Sequence, residues 1–112
     1  MIWYTYKANL NVIQNQFVQL ADDGLSVELH TTGSILGLCM GVETTEDFAR
    51  VYVAGGSGQD AILNTAWTGE QSRFEVVNGK VNPVSSGGIG WLIPAFPKAA
   101  YSANDLVKVA IY

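Results

Sequence analysis

Residues 47–53 read DFARVYV and residues 105–111 read DLVKVAI. Position by position both give an Asp, two apolar residues, a base, a valine, then Tyr or Ala and a β-branched residue. Ten residues before Asp47 stands Gly37 in Ile35-Leu36-Gly37-Leu38, and fifteen before Asp105 stands Gly90 in Ile89-Gly90-Trp91-Leu92. Each half therefore offers an apolar strand containing glycine, a polar excursion, and a strand opened by Asp. The pairing implies a two-strand unit used twice around one barrel, with Gly37 and Gly90 where backbones pack closely.

Working outward, the remaining chain also favours strands. Ile2, Tyr4 and Tyr6 alternate with Trp3, Thr5 and Lys7, which marks an aromatic N-terminal strand or an extended arm over residues 1–10. Asn11–Leu20 fits either a helix or a strand, and a strand is the better reading. Asp22-Asp23-Gly24 signals a turn. Leu25, Val27 and Leu29 then alternate with Ser26, Glu28 and His30 as a half-buried strand. Ser34–Val42 is apolar enough to be buried on both faces. Thr44–Asp47 suits one helical turn, and Asp60–Trp67 a strand or a short helix. Arg73–Val77 and Lys80-Val81 flank Asn78-Gly79, whose Gly79 accepts the positive φ of a two-residue hairpin. Gly87-Gly88 reads as a turn, Trp91-Leu92-Ile93 as a strand, and Pro94 as the end of its pairing at a sheet edge. Short strands separated by turns indicate one all-β domain over residues 1–112, a small β-barrel or β-sandwich built from two similar strand units.

Composition narrows the function. Charged residues make up 14% of the chain, against about 25% in typical domains. Either a neutral polar β surface or burial against copies or a partner explains that deficit, and interface cores are depleted in charge. The net charge is −4 and the six bases are scattered, so no nucleic-acid footprint is expected. The longest apolar run, Ile35–Val42, is too short for a membrane-spanning helix, and the N-terminus lacks the pattern of a secretory signal. Neither a membrane association nor general secretion is expected. The single cysteine, Cys39, lies in that run, where a small buried hydrophobe is the plain role and a reducing cytoplasm a compatible setting.

Catalytic constellations are scarce. His30 is the sole histidine and falls on the polar side of its strand, solvated or hydrogen-bonded. Cys39 sits where a thiolate is disfavoured. Asp22-Asp23 and Glu43/Glu46/Asp47 lack the spacing of a calcium loop. Gly55-Gly56-Ser57-Gly58 lacks the Lys-Ser/Thr of a phosphate loop. No enzyme, metal or cofactor is expected. The aromatic residues are the remaining candidates for binding.

The succession Phe74-Glu75-Val76-Val77-Asn78-Gly79-Lys80-Val81, Gly87-Gly88-Ile89-Gly90-Trp91-Leu92 and Asn104–Ile111 resembles small head proteins of tailed bacteriophages that decorate or cement capsids. The likeness covers residues 33–112. The chain departs from it in its aromatic N-terminal third and in Trp91, where a small residue is more usual. The resemblance implies a β-rich body, often a trimer, that clamps capsomer junctions and stabilises the shell. It implies the major capsid protein as partner, self-association as a homotrimer or homodimer, assembly in the host cytoplasm and a place on the virion surface. Trp3, Tyr4 and Tyr6 would serve as arm contacts to the capsid. Trp67, Trp91 and Phe96 would serve self-association or surface contact, with core packing the other reading for Trp67. Gly37, Gly79 and Gly90 would be structural. The alternative is a recognition module of a phage fibre, or a carbohydrate-binding domain, using Trp67 and Tyr52 around the Gly55–Gly58 loop.

Overall fold

Five strands of the first half run β1 (Ile2–Ala8), β2 (Phe17–Leu20), β3 (Ser26–Leu29), β4 (Ile35–Glu43) and β5 (Phe48–Ala54). Five of the second run β6 (Gln59–Ile62), β7 (Arg73–Val77), β8 (Lys80–Val84), β9 (Gly90–Ile93) and β10 (Leu106–Ile111). The computed structural model describes residues 1–43, 47–55, 58–93 and 100–111, and no helix occurs among them. The protein is all-β, as its sequence implies.

The first five strands close into a barrel in the order β1-β3-β2-β4-β5, and the other five form a sheet in the order β6-β10-β9-β7-β8. The two orders are one topology. Strands β1 and β5 pair antiparallel, as do β6 and β10; β2/β3, β2/β4 and β4/β5 match β7/β8, β7/β9 and β9/β10. The parallel seam of β1 on β3, Lys7–Ser26 and Ala8–Val27, has its counterpart in the single parallel bridge Leu63–Val81 between the ends of β6 and β8. The duplication is thus a five-stranded unit used to build two bodies, not a two-strand unit repeated around one barrel. The difference arises because strands on both sides of each Gly-containing pair repeat as well.

Hydrogen bonds at the seams repeat too. The Ala8 amide donates to the Asp47 carbonyl at 2.6 Å, and the Leu63 amide to that of Asp105 at 3.0 Å. Asn9 donates to the Val27 carbonyl at 2.9 Å, and Asn64 to that of Val81 at 2.7 Å. Leu38 stands opposite Tyr52 and Trp91 opposite Ala110. The glycine before each is forced: a Cβ at Gly37 would overlap the Tyr52 carbonyl, and one at Gly90 that of Ala110.

The registers also align the two cores. Ala8, Val12, Val18, Val27, Cys39, Ala49 and Val51 fill the first barrel. Their counterparts Leu63, Trp67, Phe74, Val81, Leu92, Val107 and Val109 all belong to the second core. That second core continues across the joint, taking Phe17, Leu38 and Tyr52 from the outer face of the first barrel. The Phe17 and Phe74 rings lie 5.7 Å apart. Strand β4 is therefore buried on both faces at its centre, Cys39 inward and Leu38 toward the second body.

Polar links fix the joint. The buried Tyr52 hydroxyl donates to the Gly55 carbonyl and accepts the Ile111 amide at 3.0 Å. Gly55 in turn donates to the Ile111 carbonyl at 2.9 Å. The Asn78-Gly79 hairpin, with φ of 50° and 80°, forms as expected. Its Gly79 carbonyl accepts the Phe17 amide at 2.8 Å, bringing the turn onto the first barrel.

Several local readings change. Only Phe17–Leu20 of the 11–20 segment is strand, because Asn9 to Gln16 turns the chain between β1 and β2. Leu25 is largely exposed, since the Asp23 turn ends just before β3. Asp60 and its neighbours are strand rather than helix. Thr44–Glu46 of the expected helical turn, Gly56-Ser57, and Pro94 with Phe96 lie outside the described residues.

Candidate interaction surfaces

Strand β1 settles the choice between strand and arm: it is a strand of the barrel, antiparallel to β5 from Ile2 to Lys7. Among the described residues its other side is paired only at Lys7 and Ala8, where β3 begins. Ile2, Trp3 and Tyr4 consequently remain 50%, 46% and 56% exposed. Tyr4 and Tyr6 lie on one face, their rings edge-on at 6.4 Å.

A second apolar surface crosses β9 and β10. Trp91, Ile93 and Leu106 are exposed there. Trp91 stands opposite Ala110 and Ile93 opposite Lys108, so these side chains share the outer face of the sheet. Arg73 lies over the Trp91 ring at 4.8 Å, a cation–π contact that orients the indole without covering it. Lys108 reaches Asp60 at 2.8 Å along the same sheet; both are about half exposed, so this ion pair adds little to stability.

The other anticipated contact residues divide. Of the readings open for Trp67, core packing holds and surface contact does not: it is 1% exposed and stacks on Tyr101 at 5.0 Å. Its indole N–H donates to the Gln71 carbonyl at 3.0 Å, so the polar residues around it in sequence cap it rather than expose it. Tyr52 is equally buried. Neither can stack on a sugar as the fibre or carbohydrate reading requires. Phe96 lies outside the described residues. Gly37, Gly79 and Gly90 each hold a close approach, Gly79 against Leu29, Gln16 and Phe17.

The titratable candidates are structural. His30 is buried rather than solvated, and its Nε2 meets the Gly33 carbonyl at 3.0 Å. Its Nδ1 has no hydrogen-bond partner among the described residues. Burial pushes the Cys39 thiol up, opposed by its bond to the Gly41 carbonyl and by the Arg50 charge. Asp23 does what the turn signal implies: its carboxylate accepts the Leu25 and Ser26 amides at 2.9 and 3.0 Å, and these bonds, with the Ser26 hydroxyl, lower its pKa. No cluster of three metal-ligating side chains occurs among the described residues.

Gln19 is a structural residue that composition does not single out. Buried in β2, its Oε1 accepts the Thr31 and Gly33 amides at 3.1 and 2.8 Å, and its Nε2 donates to Glu28 at 2.9 Å. It thereby shapes the turn into β4. Only its place between apolar residues of a strand hints at this. No family model, curated protein or solved structure matches the chain.

Proposed function

We propose that the protein is a structural binding protein that attaches to the outside of a tailed-phage capsid and stabilises it as a cement or decoration protein. The observation that carries this reading is the exposure of large apolar side chains on rigid strands: Trp3 and Tyr4 on β1, Trp91 and Ile93 on β9. Such side chains fixed on sheets meet a partner with little loss of conformational freedom. The low charge of the chain suits surfaces that become covered. A cement protein needs one surface for the lattice and benefits from another for its own copies, because linked weak contacts bind with high avidity.

The test is co-sedimentation with tailed-phage heads assembled from a major capsid protein. Saturable binding at a fixed ratio to capsid subunits, with slower loss of shell integrity on heating, is the expected result. Protein left in the supernatant at all ratios would overturn the proposal. A Trp91→Ala variant is expected to bind at least tenfold more weakly, the range of an aromatic anchor at an interface. Its fold should be intact, since Trp91 is 45% exposed.

A further inference from the structure

The repeat supplies an internal control for the exposed edge of β1. Residues Trp3, Tyr4 and Thr5 correspond by register to Gly58, Gln59 and Asp60 at the start of β6. The second unit thus carries a small residue, an amide and a carboxylate where the first carries two large aromatics. Polar and charged residues are the usual protection of a strand edge, and β6 is also met by the first barrel, where the Ile62 amide donates to the Asn15 carbonyl at 3.0 Å. The remaining open edge of the second unit, β8, carries Pro83. Phe74, opposite Pro83, turns its carbonyl toward β9 by accepting the Ile89 amide. Alternation then points the Pro83 nitrogen to the free edge, where a missing N–H prevents strand addition.

Among the described residues, strand β1 has no such protection between Ile2 and Tyr6. The Ala8 amide points to β5, bonding Asp47, and the Asn9 amide points to β3, bonding Val27. By alternation Tyr4 and Tyr6 turn their backbone groups to β5, and Trp3 and Thr5 turn theirs to the side that β3 does not reach. We infer that this edge pairs antiparallel with the same edge of a second copy, about a two-fold axis through Tyr4. In that register Trp3 meets Thr5 of the partner copy and Thr5 meets its Trp3. Each such pair exchanges both backbone bonds, so all the outward groups of Trp3 and Thr5 are satisfied. Tyr4 faces Tyr4, and Ile2 faces Tyr6, which are favourable cross-strand neighbours. The Ile2–Tyr6 segment contains no charge, so no like charges oppose one another, and charge does not select a different partner. The edge is self-complementary in hydrogen bonding and in side chains, which is what an isologous interface requires.

The inference reassigns to self-association the β1 aromatics that the sequence offered as capsid contacts, and leaves the Trp91 face for a lattice. It does not depend on the capsid proposal. Failure to bind capsids leaves dimerisation to be measured on the purified protein alone.

The experiment is sedimentation velocity across a dilution series, with three variants. The wild type is expected to reach a dimer mass. Thr5→Pro removes an N–H that the register turns away from β5, and is expected to weaken dimerisation at least tenfold with unchanged far-UV circular dichroism. Tyr4→Cys is expected to oxidise rapidly to a disulfide-linked dimer, because non-hydrogen-bonded antiparallel pairs place Cα atoms about 4.5 Å apart, within disulfide reach. Leu10→Cys, 98% exposed but away from the edge, is the control and should cross-link slowly. A wild type that stays monomeric throughout, or Tyr4→Cys that cross-links no faster than Leu10→Cys, overturns the inference. Should Thr5→Pro fail to fold, Trp3→Lys takes its place: a monomer supports the two-fold edge and a dimer contradicts it.

Discussion

The two halves of the molecule share a topology and differ in how they fill it. Of the seven matched core positions, five are larger in the second unit: Leu63 for Ala8, Trp67 for Val12, Phe74 for Val18, Leu92 for Cys39 and Val107 for Ala49. Valine is kept at the other two, Val27/Val81 and Val51/Val109. Small side chains let five strands close on themselves. Larger ones hold the corresponding strands apart, and the parallel seam shrinks to the single Leu63–Val81 bridge. The second unit compensates by taking Phe17, Leu38 and Tyr52 of the first as part of its wall. One unit is self-contained in its core, and the other is completed by its neighbour. Side-chain volume, not strand order, makes the difference.

Substitution at the matched glycines should produce the largest effects. Gly37→Ala and Gly90→Ala both drive a methyl into a carbonyl of the next strand. Each is expected to cost about 3 kcal/mol or more, the upper range of overpacking. The closed barrel has less freedom to yield, so Gly37→Ala should lower the denaturation midpoint more than Gly90→Ala. Equal losses would show that closure adds no rigidity.

Next come the matched core residues. Trp67→Ala should cost about 3–5 kcal/mol, and Val12→Ala about 2 kcal/mol, as the deleted volumes differ. Chemical denaturation measures both. A smaller loss for Trp67→Ala than for Val12→Ala would contradict the assignment of Trp67 to the second core.

The joint itself is sharpened by Tyr52→Phe. Its hydroxyl bridges the Gly55 carbonyl and the Ile111 amide, both backbone groups. Removing it should cost about 1–3 kcal/mol, the penalty for leaving buried partners unsatisfied. The Ile111 amide should then exchange faster while amides in the first barrel keep their protection.

The smallest effect separates the two hairpin turns. Asp23 holds the β2–β3 turn as a carboxylate whose pKa is lowered by its backbone bonds. A lowered folded-state pKa contributes stability that is present above the ordinary carboxylate pKa and is lost as pH falls through the lowered value. The matched turn between β7 and β8, Asn78-Gly79, carries no titrating group. Thermal melts in acid should therefore show a pH-dependent loss that Asp23→Asn removes and Asn78→Ala does not.

The duplication was readable where backbones touch. At Gly37 and Gly90 only hydrogen fits, so glycine persists, and Asp47 and Asp105 themselves carry the matched seam carbonyls. Strands β1–β3 and β6–β8 showed no such likeness because their shared positions are core volumes and exposed edges, which changed between the halves. The polar sequence neighbours of Trp67 leave it open between the core and a surface, and nothing local signals that Tyr101 stacks on it from a distant segment. Strand alternation puts His30 on the polar side, solvated or hydrogen-bonded; it is hydrogen-bonded but buried, because it follows the last residue of β3 and turns inward to Gly33. The aromatic run in β1 was conspicuous at once. That it is one edge of a barrel, open where its repeat is polar, depends on registers between strands far apart in sequence.

Amide hydrogen exchange at four residues tests the tandem-unit account most directly. The Ala8 and Asn9 amides bond Asp47 and Val27, and those of Leu63 and Asn64 bond Asp105 and Val81. The account predicts that all four are strongly protected, as two matched pairs at two matched seams. Protection of Ala8 and Asn9 with free exchange at Leu63 and Asn64 would contradict it, because the second half would then lack the seam that makes it a repeat of the first.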